Sequence, residues 1–139
     1  MEGPNWSAVG ELLVCFFPAG PVEELRWSQL CAAIASEPVR TVLLSSIGAL
    51  ELDGAKREEL SIALCSGEGT RIALVSDEAL VRGTMTAMSW RRRVDLKLFI
   101  WHKLADAHAY LAPSQLDLRG LNEAIEALRK RLEAGRDAQ

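Results

Sequence analysis

The sequence predicts an α/β domain: a four- to five-stranded, mostly parallel sheet with flanking helices, followed by a C-terminal amphipathic helix. Three observations carry this. Residues 41–47, 70–76 and 95–101 are apolar runs of strand length. Each is followed by a segment with helical spacing. The connections between them are short, and strand–helix–strand alternation at that spacing requires parallel strands covered by helices.

The elements follow in order. Residues 1–8 carry Gly3, Pro4 and Asn5 and are expected to fray, with Trp6 free to fold back onto the body. Residues 9–17 predict the first strand, with Leu12, Val14 and Phe16 on one face and Leu13, Cys15 and Phe17 on the other. Apolar residues on both faces mean helices on both sides. Pro18-Ala-Gly-Pro21 breaks the chain, and Pro21 suits the first turn of the next helix. That helix carries Leu25, Trp27, Leu30, Ala33 and Ile34, with Trp27 at the edge of the apolar face, and stops near Pro38.

The strand at 41–47 exits through residues 48–52, and Asp53 is a good N-cap for a helix reaching Cys65. In that helix Leu60, Ala63 and Leu64 face inward, while Lys56, Arg57, Glu58 and Glu59 are solvated. After the strand at 70–75, a helix over 78–90 carries Leu80, Val81, Met85 and Met88. In residues 94–100, Leu96, Leu98 and Ile100 alternate with Asp95, Lys97 and Phe99, which marks a half-exposed edge strand. The last helix, 115–134, sets Leu118, Leu121, Ile125, Leu128 and Leu132 at 3-4-3-4 spacing. Such a seam serves either docking on the sheet layer or a homodimer or partner contact. The organisation is thus a flexible start at 1–8, one domain over 9–112, the helix at 115–134 and a tail at 135–139.

Composition narrows the function. The net charge of −3 argues against nucleic-acid binding, which needs a positive field. No apolar run approaches the ~20 residues of a membrane span, and the start lacks the basic region of a secretory signal, so the expectation is a cytoplasmic protein. Cys15, Cys31 and Cys65 sit in apolar segments without metal or redox spacing and read as buried free thiols. His102 and His108, six apart, fall on opposite sides of a helix and read as surface residues. The acidic pairs Glu23-Glu24 and Glu58-Glu59 diverge on a helix, Gly67-Glu-Gly69 lies on the wrong side of a strand for a phosphate loop, and no serine sits in a nucleophile elbow. No catalytic residue, metal site or cofactor site is therefore assigned, and an enzyme ranks last.

Arg71-Ile-Ala-Leu-Val-Ser-Asp77, Ala79-Leu-Val-Arg-Gly-Thr-Met-Thr-Ala-Met-Ser-Trp90, Asp95-Leu-Lys-Leu-Phe99 and Ala107-His-Ala-Tyr-Leu111, in this order of elements, resemble the SpoIIAA-like STAS proteins over residues 11–111. The resemblance implies a binding module without catalysis: an anti-sigma-factor antagonist, a sensor or transporter appendage, or a lipid carrier. The antagonists switch by phosphorylation in an Asp-Ser-Ser-Gly motif. The corresponding residues 50–55 read Leu-Glu-Leu-Asp-Gly-Ala, with Asp53 and Gly54 where that motif has serine, so the phosphoacceptor is missing. Ser45 and Ser46 lie earlier, in the strand, and do not replace it.

Two candidate partner-binding surfaces result. The first is the loop-and-helix region 46–56, with Ser46, Asp53, Gly54 and Lys56, where the resemblance implies the family's site and where the carboxyl ends of parallel strands favour ligands. The second is Arg82, Trp90 and Arg91-Arg92-Arg93, a basic and aromatic group suited to an acidic surface; the plainer reading of the arginines is a solvated turn. The function expected is protein–protein contact in regulation, with a regulator or kinase-like partner. A carrier or sensor for a small apolar ligand, suggested by Trp27, Met85, Met88 and Trp90, is the alternative.

Overall fold

The structure, a computed structural model, describes residues 4–36, 39–65, 70–91 and 94–137. The chain begins with a hairpin of β1 (Asn5–Val9) and β2 (Leu12–Phe17). A two-residue strand β3 (Gly20–Pro21) leads to α1 (Glu24–Ala35). Then come β4 (Thr41–Ser46), β5 (Leu50–Glu51), α2 (Gly54–Leu64), β6 (Arg71–Val75), α3 (Ala79–Arg91) and β7 (Asp95–Phe99). A single 3-10 turn at Trp101–Lys103 precedes α4 (Leu104–Leu111) and α5 (Leu118–Asp137).

The main sheet has the order β1-β2-β4-β6-β7, parallel throughout except for the β1–β2 pair. The parallel strands advance in one direction across the sheet, and right-handed crossovers then place every connecting helix on the same face. Accordingly Trp27, Leu30 and Ile34 of α1, Leu60 and Leu64 of α2, and Val81, Met85 and Met88 of α3 share one core with Leu13, Cys15, Phe17, Val42, Leu44, Ile72 and Leu74. The opposite face buries Leu12, Val14, Phe16, Leu43, Ala73 and Val75 under Ala107 and Leu111 of α4 and Leu121, Ile125 and Leu128 of α5. A three-layer sandwich results, and it explains the unbroken apolar run of β2: both of its faces are covered.

The expected α/β class, the parallel sheet and the edge position of β7 all appear. Several expectations need correction. Residues 5–9 form an edge strand rather than a frayed start, and the following strand begins at Leu12 rather than at residue 9. Trp6 does fold back: the Arg26 guanidinium lies 4.0 Å from its ring centroid, and the same side chain donates to Pro4 O and Asn5 Oδ1. The tight hairpin relies on Gly10, whose φ of +60° lies in the left-handed region that suits glycine; a Cβ there would also displace the end of the Gln115 side chain. Pro21 pairs in β3 with β5 instead of opening α1, whose cap is Glu23, its carboxylate accepting from Leu25 N and Arg26 N. Trp27 is fully buried rather than marginal, its ring 5.6 Å from that of Phe17.

The α5 seam packs within the chain: Leu121, Ile125 and Leu128 are buried against the sheet and Leu132 lies beside them. Leu118, the first residue of the seam, is exposed. The face left open to a second copy by the sequence is thus already covered, which withdraws the basis for a homodimer through this helix. Among the described residues no helix is long and apolar enough to cross a membrane.

A candidate binding groove between α2 and α3

The groove starts from what α2 and α3 lack. Their facing positions carry Gly54, Arg57, Glu58 and Ser61 on one side and Thr84, Ala87 and Met88 on the other. Four of these, Gly54, Ser61, Thr84 and Ala87, are too small to fill the space between two helices, whose close packing depends on interdigitating side chains. Two contiguous recesses follow, sharing Arg57 and Thr84. The larger has a volume of ≈ 640 Å³ and the smaller ≈ 300 Å³.

The larger recess has an apolar wall of Val22, Leu50, Leu52, Val81 and Met85, with Leu80 at its edge. Leu80 is 80% exposed, whereas Val81 and Met85 of the same helix are buried. Helix geometry accounts for the difference: 81, 85 and 88 share the buried stripe, while 80, 84 and 87 form the adjacent one, turned toward α2. The β3–β5 ladder brings Pro21 and Glu51 together at one end of the recess. Glu24, Asp53, Lys56 and Arg57 complete the rim.

Of the first candidate surface, the structure gathers Asp53, Gly54 and Lys56 at the start of α2 and along the two recesses. Asp53 is the N-cap: its Oδ1 accepts from Lys56 N at 2.9 Å, and its Oδ2 lies 3.1 Å from Lys56 Nζ. The hydrogen bond from the Lys56 amide, reinforced by the Lys56 side chain, holds the Asp53 carboxyl below its ordinary range. Below the cap, Trp27 Nε1 donates to Lys56 O at 3.1 Å. Arg57 donates to Leu52 O at 3.2 Å.

Ser46 does not belong to this surface. It is fully buried at the end of β4, its hydroxyl donating to Ser76 Oγ at 3.0 Å and its carbonyl accepting from Trp101 Nε1 at 2.8 Å. Ser76 Oγ in turn accepts from Glu78 N at 3.2 Å at the start of α3, and Trp101 N donates to Asp77 Oδ1 at 3.0 Å. This network ties β4, β6 and the entry to α4 together. Ser46 holds the strand ends in place and has no free group to offer a partner.

Of the second candidate surface, side chains are described only for Arg82 and Trp90. Arg82 and Trp90 are eight residues apart on α3, about 12 Å along the axis. Trp90 is 82% exposed, whereas Arg82 is half-buried with its Nε unpaired among the described residues. Neither lines the groove. Arg91 closes α3, while Arg92 and Arg93 lie outside the described residues.

The remaining titratable groups are accounted for locally. Cys15 and Cys31 are buried free thiols, and burial above all pushes the Cys31 thiol up to about 12; Cys65, expected to be buried, is exposed. His102 is exposed, while His108 is half-buried with Nε2 2.8 Å from Leu116 O. Among the described residues no group of three or more His, Cys, Asp or Glu is placed to hold a metal ion.

Leu50 and Leu52 fall within the 46–56 region, whereas Val22, Glu24, Arg57, Leu80 and Thr84 lie outside both candidate surfaces. Leu80 was detectable, since it falls one position off the 81-85-88 stripe. Val22 was not, because only the β3–β5 pairing brings it to the groove. Comparisons with family models, curated proteins and solved structures return no match for this chain.

Proposed function

We propose that the protein is a non-catalytic binding module, similar in role to the SpoIIAA-like STAS proteins it resembles in sequence. It engages a regulatory protein partner through the α2–α3 groove. One observation supports this most: an open recess of ≈ 640 Å³ lies beside the N-terminus of α2, with an exposed leucine, Leu80, at its edge. That is the region where the resemblance puts partner contact, and an exposed apolar residue beside a preformed recess suits a contact surface. Asp53 and Gly54 replace the phosphorylatable serine, so contact is constitutive rather than switched.

Leu80→Asp tests this reading. The position is solvated, so the variant keeps its fold by circular dichroism, and a partner retained by the wild type on affinity capture is lost from the variant. The interaction must then be reproduced with the purified partner. Equal retention by both proteins would count against the groove.

A second reading has its own support. The groove volume falls within the range of small-molecule sites, and its wall is apolar. A carrier or sensor for a small apolar ligand would release that ligand in native mass spectrometry of freshly purified protein, and Leu80→Asp protein would come without it.

A further inference from the structure

We infer that the occupant of the α2–α3 groove is a basic amphipathic helix from a partner protein. This rests on the groove being the binding surface and adds the chemistry of what binds. The groove runs between α2 and α3, where Gly54, Ser61, Thr84 and Ala87 are small beside the larger Arg57, Glu58 and Met88. Small residues let a rod-like backbone approach closely, with Leu80 and the apolar wall receiving its side chains.

Charge sets the sign of the partner. Carboxylates on the rim of the larger recess outnumber cations three to two: Glu24, Glu51 and Asp53 against Lys56 and Arg57. Lys56 is paired with Asp53, which leaves Glu24 and Glu51 facing Arg57, whose bond to Leu52 O does not offset its charge. Glu24 and Glu51 are exposed and have no basic partner among the described residues. An anionic occupant would meet these two carboxylates with only Arg57 to offset them. A neutral apolar one would leave them unused. Lysine or arginine at the end of the helix over β5 and the start of α1 pairs with both, an electrostatic match that selects partners and speeds encounter.

The test is selection of a displayed library of random helix-length peptides on wild-type protein, with Leu80→Asp protein as the counter-selection. The expected winners carry an apolar stripe and one or more Lys or Arg residues. The double variant Glu24→Gln/Glu51→Gln should weaken them about tenfold, and added salt should weaken wild-type binding in the same direction. Groove-dependent peptides that lack basic residues, or that ignore the double variant, would overturn the charge assignment and leave the groove standing. If no peptide is selected, or those selected bind Leu80→Asp protein equally well, the groove reading itself falls.

Discussion

Trp27 and Lys56 are joined by a hydrogen bond from the buried indole Nε1–H to the backbone carbonyl in the first turn of α2, at 3.1 Å. The bond fastens α2 to α1 directly beneath the rim of the groove. It leaves the opposite flank of α2, toward α3, unfilled.

Replacing Trp27 with Phe keeps an aromatic ring in the core but removes this donor and part of the packing. The expected loss of stability is about 2 kcal/mol, read as a lower midpoint in urea unfolding. A variant as stable as the wild type would show that the bond does not hold α2 in place.

Ser46→Ala separates a structural serine from a contact residue. The change leaves Ser76 Oγ without its donor from β4 and should cost about 1 kcal/mol. Binding at the groove should be unchanged once the protein is folded. Weakened binding at equal stability would restore Ser46 to the contact surface.

Asp53→Asn probes the cap through pH. The folded-state pKa of Asp53 is depressed, so its contribution is present above the unfolded value of about 4 and is lost as pH falls through the folded value. Asparagine also caps helices well but does not titrate. The stability advantage of the wild type over Asp53→Asn should therefore shrink between neutral pH and about pH 3. Parallel pH profiles of the two proteins would contradict the assignment.

Ala112 ends α4 with φ 46°, the left-handed region that suits glycine. Ala112→Gly relieves this strain and should stabilise the protein by about 0.5–1 kcal/mol. An unchanged or lowered melting temperature would argue against that backbone geometry.

What could be read from the sequence follows a physical division. The doubly covered β2 shows in its six consecutive apolar residues, and the α2 cap shows in Asp53, because both are local signals. β1 was missed because Asn5–Val9 is held by distant partners: its pairing with β2 and the Arg26 clamp on Trp6. The α5 seam was visible, but a seam does not state what covers it, and only the folded chain places Leu121, Ile125 and Leu128 on the sheet. The candidate site was half legible. Asp53, Gly54 and Lys56 were found through the site the resemblance implies and their position after a parallel strand. The wall opposite them depends on α3 lying beside α2 and on the two-residue β3–β5 ladder, which no local pattern announces.

The most direct measurement is a map of backbone amide chemical shifts in labelled protein as a purified partner or a selected groove-dependent peptide is added. The account predicts perturbations concentrated at residues 50–61 of the β5–α2 region and residues 80–87 of α3. Perturbations centred on α4, α5 or the β7 edge, with the α2–α3 amides unmoved, would contradict it.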